Sequence, residues 1–150
     1  MFKKSDEAKH EQIKKKYAQS KTHFPEVPDI SAQELNVRME DENLVIVDVR
    51  TPEEQAISKI KGAITADEFE AKADQYRDKS IVCYCTIGHR SGLYTQQLMS
   101  RGFKAENLQG AILAWTHASG KLEDSSGETT KVHIFSKAYS LTAEGYDPVW

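Results

Sequence analysis

The chain has 150 residues, of which 39% are hydrophobic and 29% charged, with a net charge of −3. That is the size and balance of one globular domain able to bury a core without disulfide or metal support. The charge excludes a broad electrostatic attraction to nucleic acid or to an anionic membrane surface, and no apolar run approaches the roughly 20 residues that cross a bilayer.

Residues 1 to about 24 form a charged segment with Ile13 and Tyr17 as a thin apolar stripe, read as a short docked helix or a tail. No apolar stretch follows its cationic start, as a secretory signal would need. Lys14, Lys15 and Lys16 read as solvated surface. Pro25 and Pro28 mark a linker, and "SAQE" from Ser31 is a helix-opening capping box. "LVIVD", residues 44–48, is a continuous apolar run ending in a charge, the pattern of a strand covered on both faces. "TPEE", 51–54, supplies a capping Thr, a Pro at the first helical position and a Glu three residues after the cap. Phe69, Ala73 and Tyr76 follow at helical spacing.

"SIVCY", 80–84, is a second buried strand, and Ser91–Arg101 reads as a helix stopped by Gly102. Gly110 then precedes "AILAW", whose Trp115 is assigned to the core. The alternation predicts an α/β fold of three layers, a mostly parallel central sheet with helices on both faces. Beyond it, "SSG" at 125–127 is a turn, and "KVHIF" from Lys131 is expected to add an edge strand.

Between the second strand and its helix lies "CTIGHR": Cys85, Thr86, Ile87, Gly88, His89 and Arg90. Ligands of parallel sheets bind beyond the carboxyl ends of the strands, where this turn falls. Unpaired N–H groups at a helix start, aimed by a tight turn, make a nest for an anion. Gly88 permits the left-handed backbone such a turn needs, and Arg90 adds a permanent fork of donors. Cys85 opens the loop, so its thiolate is stabilised and nucleophilic. Cys83 sits inside the strand and reads as packing. The two cysteines, two residues apart on a strand, are separated by roughly 6.6–7 Å, at the limit for a disulfide. Both are therefore expected reduced, in a cytoplasmic protein. Cys83, Cys85 and His89 lack a fourth partner for zinc, and neither a metal nor a cofactor is expected.

"DVRTPEE" at 48–54, "KGAI" at 61–64, "CYCTIGHRS" at 83–91 and "LQGAILAW" at 108–115 together resemble a single-domain rhodanese, over about residues 28–118. The resemblance implies a rhodanese-like domain at 28–118 between a charged extension at 1–27 and a C-terminal extension at 119–150. It also implies a sulfurtransferase of the thiosulfate:cyanide type: Cys85 accepts a sulfane sulfur from a donor such as thiosulfate or a persulfide, and passes it to a thiol, cyanide or protein acceptor. Thr86, Ile87, Gly88, His89 and Arg90 would bind the donor, while Asp48 and Arg50 match the family's "DxR" and would support the fold. Ser58-Lys59-Ile60-Lys61 replaces the usual Gly-His-Ile-Pro, and Gly110-Ala111 the usual double Gly. Two other readings belong to different classes. One is a non-catalytic binding module. The other is a phosphatase or arsenate reductase, whose Cys-to-Arg interval, by resemblance, is one residue longer than the four here.

Overall fold

The computed structural model describes residues 4–150; Met1, Phe2 and Lys3, the start of the expected N-terminal segment, lie outside the described residues. In chain order the elements are α1 (Asp6–Lys21), β1 (Asp29–Ile30), α2 (Ala32–Val37), β2 (Leu44–Asp48), α3 (Pro52–Ile57), β3 (Lys59–Ile60), β4 (Ile64–Thr65) and α4 (Ala66–Ala71). There follow β5 (Ser80–Tyr84), α5 (His89–Ser100), β6 (Lys104–Leu108), α6 (Ala111–His117), β7 (Leu122–Asp124), β8 (Gly127–Thr129), β9 (Lys131–His133) and β10 (Asp147–Val149). The protein is an α/β fold whose central sheet has the order β1-β6-β5-β2-β4, with every neighbouring pair parallel.

The two apolar runs, β2 and β5, lie side by side, and their side chains alternate between two cores because strand residues point to opposite faces in turn. Ile46, Val82 and Tyr84 join Leu35, Ile112 and Trp115 on one face. Val47, Ile81 and Cys83 join Phe69, Leu98 and Phe103 on the other. Helices α1, α2 and α6 therefore cover the first face and α4 and α5 the second. Among the described residues no helix is long and apolar enough to cross a membrane.

Three regions differ from the sequence expectation. The Pro25–Pro28 stretch is not a loose linker: Phe24 and Val27 are buried with Tyr17 of α1, and Phe24 packs so closely on Gly92 that a Cβ there would lie 2.1 Å from its ring. β6 carries no apolar run in its sequence, KAENL, yet occupies the sheet between β5 and β1. The strand from Lys131 does not extend the central sheet. β9 pairs in parallel with β10 in a sheet of its own, an arrangement that sends Val132, Ile134 and Leu141 into the core beside Trp115. The turn at 125–127 joins β7 to β8, and β3 completes their antiparallel sheet.

Candidate active site

β5 ends at Tyr84 and α5 begins at His89, so the loop carrying Cys85 lies beyond the carboxyl edge of the central strands. The helix starts two residues earlier than Ser91 because Gly88 caps it with φ of 117°, a left-handed geometry that costs glycine little. The turn brings the Gly88 N–H to 3.2 Å from Cys85 Sγ, and the Ser91 hydroxyl donates to the same sulfur at 3.4 Å. Two donors and the N-terminal end of a 12-residue helix thus converge on one thiol.

Gly88 is held from its other side. The Asn107 side-chain amide on β6 donates to the Gly88 carbonyl at 2.9 Å and to the Tyr17 hydroxyl at 3.0 Å. Tyr17 in turn donates to Asp29. Its ring fills the space over Gly88, where a Cβ would lie 2.5 Å from Tyr17 Cε1. Gly88, whose N–H faces the sulfur, is therefore held in place by α1 and β6 together.

The guanidinium of Arg90 is engaged by a residue that the sequence offers only as part of a helix start. Arg90 Nη1 and Nη2 donate to Glu54 Oε1 and Oε2 at 2.8 and 2.9 Å, and Nη2 also donates to Thr86 Oγ1 at 3.1 Å. Thr51 caps α3 by accepting from the Glu54 N–H, but the Glu54 side chain turns to Arg90, because a forked, charge-assisted pair outcompetes a neutral backbone donor. No local pattern distinguishes this Glu from an ordinary cap, since its partner lies 36 positions away.

Asp48 and Arg50 stand behind the loop, not in the cleft. Their buried side chains form a fork at 2.7 and 3.0 Å. Arg50 also donates to the Ser58 carbonyl, and the Tyr84 hydroxyl bridges Asp48 and the Ile60 N–H. This network fastens the segment in which Ser58-Lys59-Ile60-Lys61 replaces the family pattern. His89 is half-buried, edge-on to His23 and Phe24 with centroids at 5.3 and 6.1 Å. Ile87 packs into the core on the α6 face. Cys83 lies wholly inside the opposite core, where burial pushes its thiol up to about 12.

Cys85, 1% exposed, lies at the floor of a cleft of about 390 Å³. The loop side chains Thr86, Ile87, His89 and Arg90 form one side. The remaining walls come from outside the strand-and-helix repeat: Lys16 and His23 from α1 and the turn after it, and Phe135 and Tyr139 from the C-terminal extension. Lys16, expected as solvated surface, thus lines the same cleft as Cys85. Among the described residues no group of three or more His, Cys, Asp or Glu side chains is arranged to hold a metal ion.

The family model of the rhodanese-like domain matches residues 31–118, more than half of the chain, and the chain belongs to that family. A sulfurtransferase of Allochromatium vinosum is 33% identical over 94 residues, covering 59% of this chain and 88% of that protein. A tRNA uridine(34) hydroxylase of Acholeplasma laidlawii is 26% identical over 123 residues, which are 75% of this chain; the chain spans only 38% of that longer protein. The crystal structure of a rhodanese-like domain protein from Staphylococcus aureus superposes with a TM-score of 0.53 at 29% identity, covering 59% of this chain and 91% of that one.

Proposed function

We propose that the protein is a sulfurtransferase that carries a sulfane sulfur on Cys85. The observation that supports this reading best is the convergence of the Gly88 N–H and the Ser91 hydroxyl on Cys85 Sγ at the start of α5. The same donors can hold the negative charge of a thiolate or of the terminal sulfur of a persulfide. In the first half-reaction the Cys85 thiolate attacks the outer sulfur of the donor. A Cys85 S–S bond forms, the donor's sulfur–sulfur bond breaks, and the donor leaves with the electron pair, as sulfite from thiosulfate or as a thiolate from an organic persulfide. In the second, a thiol, cyanide or protein nucleophile attacks the terminal sulfur and Cys85 leaves as thiolate. In the first half one sulfur–sulfur bond replaces another. In the second the Cys85 S–S bond breaks while an S–S bond to a thiol, or the C–S bond of thiocyanate, forms, and neither half needs an external oxidant or reductant.

Arg90 acts as a clamp of the loop, its guanidinium paired with the Glu54 carboxylate and bonded to Thr86. Asp48 and Arg50 act on the site by fixing Tyr84 and the Ser58–Lys61 segment. The four-residue interval from Cys85 to Arg90 suits one sulfur better than a phosphoryl group. The hydroxylase named among the relatives is a much longer protein, and its activity is not carried over. Two free cysteines fit a reducing compartment such as the cytoplasm.

Intact-protein mass spectrometry after incubation with thiosulfate, and separately with an organic persulfide, tests the assignment. Cys85 should gain the mass of one sulfur atom, and cyanide or a thiol should remove it. Cys85→Ser should take up none, because a serine hydroxyl cannot form a persulfide. Cys83→Ser should load and turn over nearly as well as the parent, since a thiol held near pKa 12 is protonated at neutral pH. Sulfur carried on Cys83 in the Cys85→Ser protein would refute the assignment.

A further inference from the structure

We infer that the Cys85 cleft selects a small organic persulfide bearing a carboxylate over thiosulfate, with Lys16 binding the carboxylate and Phe135 and Tyr139 holding the organic part. The inference rests on the proposed Cys85 persulfide chemistry and specifies its donor. Three independent features of the cleft carry it.

The first is size. At about 390 Å³ the cleft falls in the range of roughly 300–1,000 Å³ that holds small organic ligands, and thiosulfate, with five heavy atoms, would leave most of it to water. The second is charge. Of the two cations on its walls, Arg90 is already paired at both Nη groups with Glu54. Lys16 is in no ion pair among the described residues, and its Nζ lies 5.2 Å from the Tyr139 ring centroid. The free positive charge is therefore on the α1 wall and not in the loop beside the sulfur. A donor reaching both must be longer than an inorganic dianion, with its anionic end separated from its sulfane sulfur.

The third is backbone strain. Phe135 has φ of 73°, and the Ser136 N–H donates to the Ile134 carbonyl at 2.8 Å, so a three-residue turn is closed around a bulky residue in a conformation rarely adopted outside glycine. The Phe135 N–H is tied to His133 Nδ1. The turn leaves Phe135 54% exposed, its ring against Tyr139 at 6.1 Å and 5.0 Å from the Arg90 guanidinium. A strained position that exposes an aromatic ring contributes little to folding. It makes sense as a surface kept for a ligand.

The reaction is E–S⁻ + R–S–SH → E–S–SH + R–S⁻, where R carries the carboxylate. The bond made joins Cys85 Sγ to the outer sulfur, the bond broken is the donor's S–S bond, and the proton stays on the transferred sulfur.

The test uses the full chain and stopped-flow loading of Cys85 from three probes: glutathione persulfide, 2-hydroxyethyl persulfide and thiosulfate. The parent protein should load from glutathione persulfide at least about tenfold faster than from either of the others. Lys16→Gln should lower the glutathione persulfide rate by roughly fivefold and Lys16→Glu by more, with 2-hydroxyethyl persulfide unchanged. Phe135→Gly should slow both organic persulfides and spare thiosulfate, while its melting temperature does not fall, because glycine relieves the strained backbone. Loading of the parent at equal rates from all three probes, or Lys16 variants that slow all three alike, would overturn the inference while leaving Cys85 chemistry intact. Loading from none would overturn the proposed function and the inference with it.

Discussion

Glu54 is the residue on which the loop's charge balance depends. Burial alone would raise its carboxyl, but the hydrogen bonds and charge of Arg90, with the charge of Arg50, outweigh burial and bring it below the ordinary 4.5. Because the lower value belongs to the folded form, the pair contributes its full stability above the unfolded value near 4.5 and loses it as pH falls through the folded one. Glu54→Gln should therefore flatten part of the decline in denaturant midpoint below about pH 4.5. At neutral pH the same substitution should cost roughly 2–3 kcal/mol, less than a fully buried pair because Arg90 is one-third exposed. Urea titrations from pH 3 to 7 measure both effects, and an unchanged acid slope would remove Glu54 from the account. At this scale the sequence was informative about Cys85, Gly88 and Arg90, which are crowded into six positions. It was silent about the part that Glu54, Tyr17 and Asn107 play there, because the bonds that tie Glu54 and Asn107 to the loop and Asn107 to Tyr17 span 19 to 90 positions and leave no local period.

At the scale of elements, α1 and β6 are the pieces that sequence patterning placed least well and that the loop needs most. β2 and β5 are legible because parallel strands buried on both faces must be apolar throughout. β6 gives up that signature: its Asn107 is fully buried, with its amide committed to Gly88 and Tyr17. α1 has only two buried residues, Ile13 and Tyr17, on an otherwise charged helix, so hydrophobic periodicity cannot tell docking from fraying. Gly88→Ala tests the link between these elements. The new Cβ adds strain at a φ of 117° and overlaps the Tyr17 ring, a combination worth about 2–4 kcal/mol. Equilibrium denaturation should show that loss, and the rate of sulfur loading should fall as the Gly88 N–H leaves Cys85. A variant that loses stability but loads at the parent rate would mean that this N–H does not serve the sulfur.

For the whole molecule, the segments outside the family match are not appendages. Ile13 from α1 and Val132, Ile134 and Leu141 from the C-terminal extension share one apolar core with Trp115 and the central strands. Unfolding should accordingly be a single transition, with tryptophan fluorescence and far-ultraviolet circular dichroism giving coincident curves. Ile134→Ala, although sixteen residues past the matched region, should cost about 2–5 kcal/mol, as core truncations do. A separate, earlier transition for either extension would show it to be an independent unit. The three-layer plan was legible from the alternation of strand and helix patterns. The closure of the core by the chain's two ends was not, because short, polar strands such as KVH and DPV carry too few apolar positions to announce where they pack.

The parallel pairing of β9 with β10 has a consequence in time. During synthesis, residues emerge at about 5–20 per second and earlier segments organise first. The loop of Cys85 can settle between β5 and α5 once β6 has appeared to hold Gly88. The wall carrying Phe135 and Tyr139 cannot be fixed until residues 147–149 arrive to pair with 131–133. The loop of Cys85 is thus assembled before the surface that we assign to donor choice, and a nascent chain passes through a stage in which its thiol is seated but its cleft is open on one side.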